Sequence, residues 1–234
     1  MPSIYHPQLN EEHCITGQEY HHLSRVLRTK PGDVILLNDG QGSLAKAVIK
    51  NIDKKCAHFE LLEAAIYHEP TSHFAIAFSL LKNKHDELIV EKCTELGCRE
   101  FYPFISAYSV RKGEDISRFE RIALSAIKQC DNPWLPHVNP VYTLKKSIKQ
   151  AKEQGYTPVF CSEFRPDTWL NDLKLPANAK PCFFIGPEGG FGTEELAYLE
   201  QEKIDQITIS RLILRAETAA IAIAAQYVSL SKPS

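Results

Sequence analysis

An apolar run, Cys182 to Ile185, breaks into Gly186-Pro187-Glu188-Gly189-Gly190 and continues as Phe191-Gly192-Thr193-Glu194-Glu195. The run reads as a buried strand and the glycine-rich stretch as a turn. Thr193 is the expected N-cap of a helix whose first turn holds two acids. Strand, glycine loop and helix in that order point to an α/β domain. Glycines in such a loop admit positive φ, or the close approach of a bound molecule. A strand-to-helix turn without a ligand is the plainer alternative. No Gly-Lys-Ser/Thr follows, so the loop is not a Walker loop, and it is not G-x-G-x-x-G.

The surrounding chain extends this pattern. After the polar break His68-Glu69-Pro70-Thr71, strands are expected at Phe74–Leu81, Glu100–Ile105, Pro158–Cys161, Cys182–Ile185 and Gln206–Ile209. Helices are expected over Asp86–Leu96 (closed by Gly97), from a Ser117-x-x-Glu120 capping box to Cys130, from Thr143 to about Gly155, and from Ala216 onward. Alternation of this kind builds a mainly parallel sheet, and ligands gather at the carboxyl ends of its strands. A second loop there, Ile213-Leu214-Arg215-Ala216-Glu217-Thr218, sets Arg215 and Glu217 at a helix N-terminus. Their structural alternative is an Arg–Glu surface pair.

Before position 69 the pattern is mostly short strands with polar turns, Val34–Leu37, Leu44–Ile52 and Cys56–Leu62, as in a small barrel. One helix interrupts them, opened by a Thr16-x-x-Glu19 capping box. The expected boundary divides residues 1–69 from 70–234.

Formal net charge is −2, so any nucleic-acid contact rests on local patches. Arg25, Arg28 and Lys30 cluster at one helix end, with Arg25 and Arg28 spaced i, i+3 to face one phosphate track. Lys46, Lys50, Lys54 and Lys55 lie along adjacent strands, and solvated faces carry such charges too. Lys145, Lys146, Lys149 and Lys152 read as an exposed helix face. The 7 cysteines show no metal-ligand spacing, His21-His22 lacks a third ligand, and no stretch has the length of a signal peptide or membrane span. These features are those of a cytoplasmic protein with reduced thiols, no metal and no membrane contact.

The two loops together resemble the signature loops of the RsmE family of SPOUT methyltransferases. Ile4-Tyr5-His6-Pro7, His22-Leu23-Ser24-Arg25-Val26-Leu27-Arg28, Asp39-Gly40 and Lys92-Cys93-Thr94-Glu95-Leu96-Gly97 extend the resemblance over nearly the whole chain. It implies an N-terminal PUA-like β-barrel that binds RNA and a C-terminal parallel sheet tied in a trefoil knot. It also implies a homodimer that uses S-adenosylmethionine to methylate N3 of a uridine in 16S ribosomal RNA of the small subunit. Cofactor contacts would fall on Ser162, Glu163, Ile185, Gly186, Pro187, Glu188, Gly189, Gly190, Ile209, Ser210, Leu212 and Leu214. Arg215 would hold the uracil or its phosphate, and Glu217 would orient Arg215 or the donor.

Several family arginines are absent. Tyr108 stands where the family has Arg before Ser or Cys, and Asn132 and Trp134 stand where it has two more. Leu212 stands where the family has the Arg of Gly-x-Arg, with Arg211 adjacent. These departures keep two alternatives open: a methyltransferase with a different RNA target, and a catalytically silent RNA-binding protein. The motifs do not assign the group that takes the N3 proton. Trp134 and Trp169 fit either a core or a base-stacking role.

Overall fold

The computed structural model describes residues 1–9, 13–70, 73–162, 168–176 and 178–231. Two compact units emerge: Met1–Glu69 with Leu124–Leu135, and Pro70–Ala123 with Pro136–Ser234. The segment Leu124–Leu135 thus joins the first unit although it follows the expected boundary by more than fifty residues in sequence.

The first unit contains β1 (Ser3–Tyr5), β2 (Cys14–Ile15), α1 (Gly17–His21), β3 (Val34–Asn38), β4 (Ser43–Ile52) and β5 (Ala57–Ile66). Its strands form one sheet in the order β1-β3-β4-β5-β2, antiparallel except for the β1–β3 pair. Register shifts at Lys46/Ala47 and Ile49/Asn51 bend the long β4–β5 ladder, as bulges do. Alternating positions Ala45, Ala47 and Ile49 turn inward onto Ile4, Leu23, Ile35, Leu37 and Phe59. The Asp39 carboxylate closes the following turn, accepting the Gln41 and Ser43 amides at 2.7 and 2.9 Å.

Local expectations in this unit need correction. Thr16 makes no side-chain cap, and the Glu19 carboxylate turns to Lys128, 2.7 Å away. After α1 the chain continues as a π-helical segment, His22–Val26, and Arg28 takes a left-handed φ of 53°. The i, i+3 alignment of Arg25 and Arg28 on one α-helix is therefore not formed. Cys14 and Cys56 are joined as a disulfide, contrary to the expectation of reduced thiols alone. The β2–β5 ladder sets Cys14 opposite His58, which brings Cys56 within 5.9 Å, Cα to Cα, a span a disulfide bridges. A sequence separation of 42 hides this pairing.

The second unit holds β6 (Ala75–Ser79), α2 (His85–Glu95), β7 (Glu100–Ile105), α3 (Ile116–Cys130, whose last turns belong to the first unit), β8 (His137–Val138), β9 (Tyr142–Thr143) and α4 (Leu144–Glu153). It continues with β10 (Tyr156–Cys161), β11 (Lys180–Ile185), α5 (Thr193–Gln201), β12 (Asp205–Ile207) and α6 (Ala216–Leu230). The sheet order is β12-β10-β11-β6-β7-β8, with β9 also on β7, and every pair is parallel. All five residues of β6 are buried, as in a parallel strand covered on both faces. Phe78, Phe101, Tyr102, Phe104, Phe183 and Phe184 fill the core.

Helix starts here follow competition among caps. Asp115 rather than Ser117 opens α3, accepting the Ser117 amide at 3.0 Å and its hydroxyl at 2.7 Å. Gly192 rather than Thr193 is the N-cap of α5. Thr143 caps α4 as expected, through the Lys146 amide at 3.4 Å, and Gly97 and Gly155 follow their helices at φ of 85° and 82°. No described helix is long and apolar enough to cross a membrane.

Candidate active site

Strands β12, β10 and β11 lie side by side and parallel, with Cys161 opposite Ile207 and Phe160 opposite Phe184. Their carboxyl ends therefore share one edge, and the loops that leave them meet around a cavity of about 580 Å³. That size is typical of small-molecule sites. Ser162, Ile185, Gly186, Pro187, Glu188, Gly189, Gly190, Ile209, Ser210, Leu212 and Leu214 all line it, as do Arg215 and Ile213. Glu163 lies outside the described residues. Phe160, Cys161, Phe191, Leu196, Ala216 and Ala219 also border the cavity; Phe191 and Ala216 stand in the two stretches already singled out but were given no role there. Only the aromatic and alanine positions flanking each loop hinted at these walls.

Each glycine answers to a different constraint. Gly190 has φ 74° and closes a turn through its amide to the Pro187 carbonyl at 2.9 Å. At Gly186 a Cβ would run into the ring of Phe191, which folds back onto Phe160 at 4.6 Å between centroids. At Gly189 a Cβ would stand 3.1 Å from Cβ of Tyr108. The lining thus pairs bare backbone with Ile185, Ile209, Leu212 and Leu214. S-adenosylmethionine fits such a surface, since its adenine wants apolar walls and its polar groups want backbone amides and carbonyls.

One carboxylate organises the rim. Glu195 accepts the Gly192 amide at 2.9 Å, the Ser106 hydroxyl at 2.8 Å and the Ala107 amide at 3.1 Å. Ser109 in the same loop bonds Ser79 at 2.6 Å and accepts the Ser106 amide at 2.8 Å. Glu188 accepts the Lys82 amide at 3.3 Å, and Asn83 and Lys84 beside it hold left-handed φ of 53° and 61°. Glu195 was missed because its partners are 88 and 89 residues away.

Arg215 is the N-cap of α6, exposed at the cavity with no side-chain cap bond. The expected Arg215–Glu217 pair does not form. Glu217 is buried and turned away toward α2, with Oε1 3.2 Å from Nδ1 of His85. One helical residue apart is about 100°, so Ala216 and Ala219 face the cavity while Glu217 and Ala220 face inward. Burial pushes the Cys161 thiol up, so it stays protonated and is no nucleophile.

The other sequence candidates lie in the first unit. Arg25, Arg28 and Lys30 are exposed and form no ion pair among the described residues, whereas Lys46 and Lys50 are taken by Glu63 at 2.9 Å and Glu60 at 2.5 Å. Asn132 gives its carbonyl to Asn38 at 2.8 Å, and Trp134 packs on Gly42, which has φ 106°. Both therefore hold the first unit together. Trp169 forms a bridge with Thr208. Cys14, Cys56 and His58 cluster, but the two sulfurs are spent on each other and His58 engages Asp53 at 3.2 Å. Lys145 and Lys146 cover Tyr198 and Tyr142 at 4.9 and 4.4 Å, as an exposed face does.

Comparison with known proteins identifies this arrangement. The family model for an RNA methyltransferase domain matches residues 68–228, and that for an RNA methyltransferase PUA domain matches residues 15–62. The chain belongs to the RNA methyltransferase family. Within it, the chain falls among the ribosomal RNA small subunit methyltransferases E. The protein of that name from Mesomycoplasma hyopneumoniae is 32% identical over 66% of this chain and 68% of its own length. That from Bacillus subtilis is 28% identical over 88% and 85%. The crystal structure of ribosomal RNA small subunit methyltransferase E from Neisseria gonorrhoeae bound to S-adenosyl methionine superposes with a TM-score of 0.88, at 26% identity over 98% of both chains.

Proposed function

We propose that this chain is an S-adenosylmethionine-dependent methyltransferase of small-subunit ribosomal RNA that acts on N3 of a uridine in 16S RNA. The observation that carries the proposal is the convergence of three parallel-strand ends on one glycine-lined cavity with an exposed arginine at its edge. Bound there, the cofactor supplies a methyl already activated on a sulfonium, so the protein's task is mainly positioning. Residues Ile185–Gly190 and Ile209–Leu214 bring backbone to the cofactor, and Ser162 closes the third side.

Uracil N3 carries a proton at neutral pH, and negative charge develops on the base as it leaves. Arg215, always charged and planar, stabilises that charge or holds the adjoining phosphate. Glu217 supports this role at one remove: its bond to His85 fixes the first turn of α6, and with it the N-cap from which Arg215 projects. A stacked or paired uridine hides N3, so the acceptor base is turned out of its helix.

The first unit grips RNA through Arg25, Arg28 and Lys30 by phosphate contacts. The enzyme works in the cytoplasm as a homodimer, a reading supported by exposed Leu212, Ile213, Val228 and Leu230. As the family resemblance implies, the cofactor loops are threaded as a trefoil knot.

The test is to incubate the protein and radiolabelled cofactor with small subunits from cells lacking the native modification, then map the labelled nucleotide. Label at one uridine N3 is expected. Label at another RNA would move the target, and cofactor binding with no transfer to any RNA would leave a silent binding protein.

A further inference from the structure

We infer that Tyr108 is the stacking platform for the base that receives the methyl group, an inference resting on the proposed reaction. Tyr108 is 56% exposed, on a loop in which Ala107 and Val110 are exposed and Ser106 and Ser109 are buried. The backbone around it is pinned. Ser106 and Ala107 are tied to Glu195, and Ser109 to Ser79 and to the Ser106 amide. An aromatic held in the open by a rigid backbone loses little freedom when a ligand lies on it.

The position of the ring selects the ligand. A Cβ on Gly189 would lie 3.1 Å from Tyr108 Cβ, 3.7 Å from Cγ and 3.9 Å from Cδ2. Gly189 has no positive φ, so backbone conformation does not demand glycine there, and Tyr108 lies close enough that an added Cβ would shift it by a few tenths of an ångström. Because Gly189 lines the cavity, Tyr108 stands against the glycine loop that forms one of its walls. A turned-out pyrimidine needs a flat surface at that point, and base–aromatic stacking supplies one without reading sequence. The inference also accounts for an absent arginine, because the tyrosine replaces a charge contact with a stacking one.

The experiment compares wild type, Tyr108→Phe and Tyr108→Ala in single-turnover methyl transfer to small subunits. Half-saturating subunit concentration, cofactor affinity by calorimetry, melting temperature and sedimentation are measured on the same samples. Tyr108→Ala is expected to lose about 10- to 100-fold in transfer at low subunit concentration, the range for one lost base stack. Cofactor affinity, melting temperature and assembly state should stay at wild-type values, and Tyr108→Phe should transfer within about threefold of wild type. Tyr108→Ala transferring like wild type overturns the stacking role and leaves the enzyme assignment intact. A loss matched by falling cofactor affinity or by dissociation of the dimer overturns it in favour of loop support or a subunit contact. Failure of wild type itself to transfer overturns the reaction on which the inference rests.

Discussion

The carboxylate of Glu195, in the first turn of α5, accepts the hydroxyl of buried Ser106 at 2.8 Å across 89 residues of chain. This one bond couples the loop after β7 to the glycine loop after β11, since the same carboxylate also holds the Gly192 amide. Glu195→Ala leaves two amides and a hydroxyl in want of an acceptor, at roughly 1–3 kcal/mol for a buried group of this kind. Stability to urea should fall by about 2 kcal/mol, and cofactor affinity should fall several-fold. Glu195→Gln, which retains an acceptor oxygen, should recover part of both. Unchanged cofactor affinity in the Ala variant would show that the two loops are not coupled.

Gly186 and Gly189 should differ in their response to a methyl group. Alanine at 186 meets the ring of Phe191, which is itself locked against Phe160 and Phe104. Overpacking of this type costs about 1–3 kcal/mol and displaces the loop from the cavity. Gly186→Ala should therefore lose both melting temperature and cofactor affinity. Gly189→Ala needs only a few tenths of an ångström from Tyr108 and should stay close to wild type, whereas Gly189→Val should weaken cofactor binding strongly. Calorimetry that ranks alanine at 189 as the more harmful would contradict this geometry.

Arg215 is open to solvent at the cavity and makes no ion pair among the described residues, so its removal should spare the fold. Arg215→Ala is expected to lower single-turnover transfer by about 10²–10³ while melting temperature and cofactor affinity hold. Arg215→Lys should rescue poorly, because a point charge does not reproduce a planar fork. Near wild-type transfer by a folded, cofactor-binding Ala variant would end the catalytic assignment.

Exchanging both Arg25 and Arg28 for Ala should weaken RNA binding and flatten its salt dependence, since each lost phosphate contact releases fewer counterions. Cofactor affinity should not change, because the described residues that line the cavity all belong to the second unit. Filter binding across a salt series, alongside calorimetry, tests both halves. Lost cofactor affinity with intact RNA binding would reverse the division of labour.

Asp86 links stability to pH. It is fully buried, and desolvation holds its carboxyl above the usual aspartate range despite the opposing pull of Arg111 at 2.5 Å and the Leu81 amide at 3.3 Å. A folded carboxyl with a raised pKa binds its proton more tightly than the unfolded chain does. Its contribution therefore declines as pH climbs from the ordinary aspartate value through the raised one, then levels. Asp86→Asn lacks this titration, so the stability difference, variant minus wild type, should grow across that window. Urea melts at a series of pH values will show it, and a difference flat with pH would refute it.

Much of the molecule was legible in local sequence. Apolar runs and periodicity located β7 at Glu100–Ile105 to the residue and β6, β10 and β11 within two residues at each end. The reason is that burial on a parallel sheet demands continuous apolar side chains, a property written along the strand. Glycine loops at strand ends likewise marked the cavity, because strand direction alone collects those ends at one edge. Choices among competing partners were left to tertiary structure. Glu19 prefers Lys128 to its own capping box, and Glu217 turns from Arg215 to His85. Cys14 finds Cys56 only once two strands pair, and Tyr108 comes to lie against Gly189 only once Glu195 has gathered their loops. A side chain's local neighbours limit what it can bond, but a remote group of better geometry wins whenever folding brings it within about 3 Å.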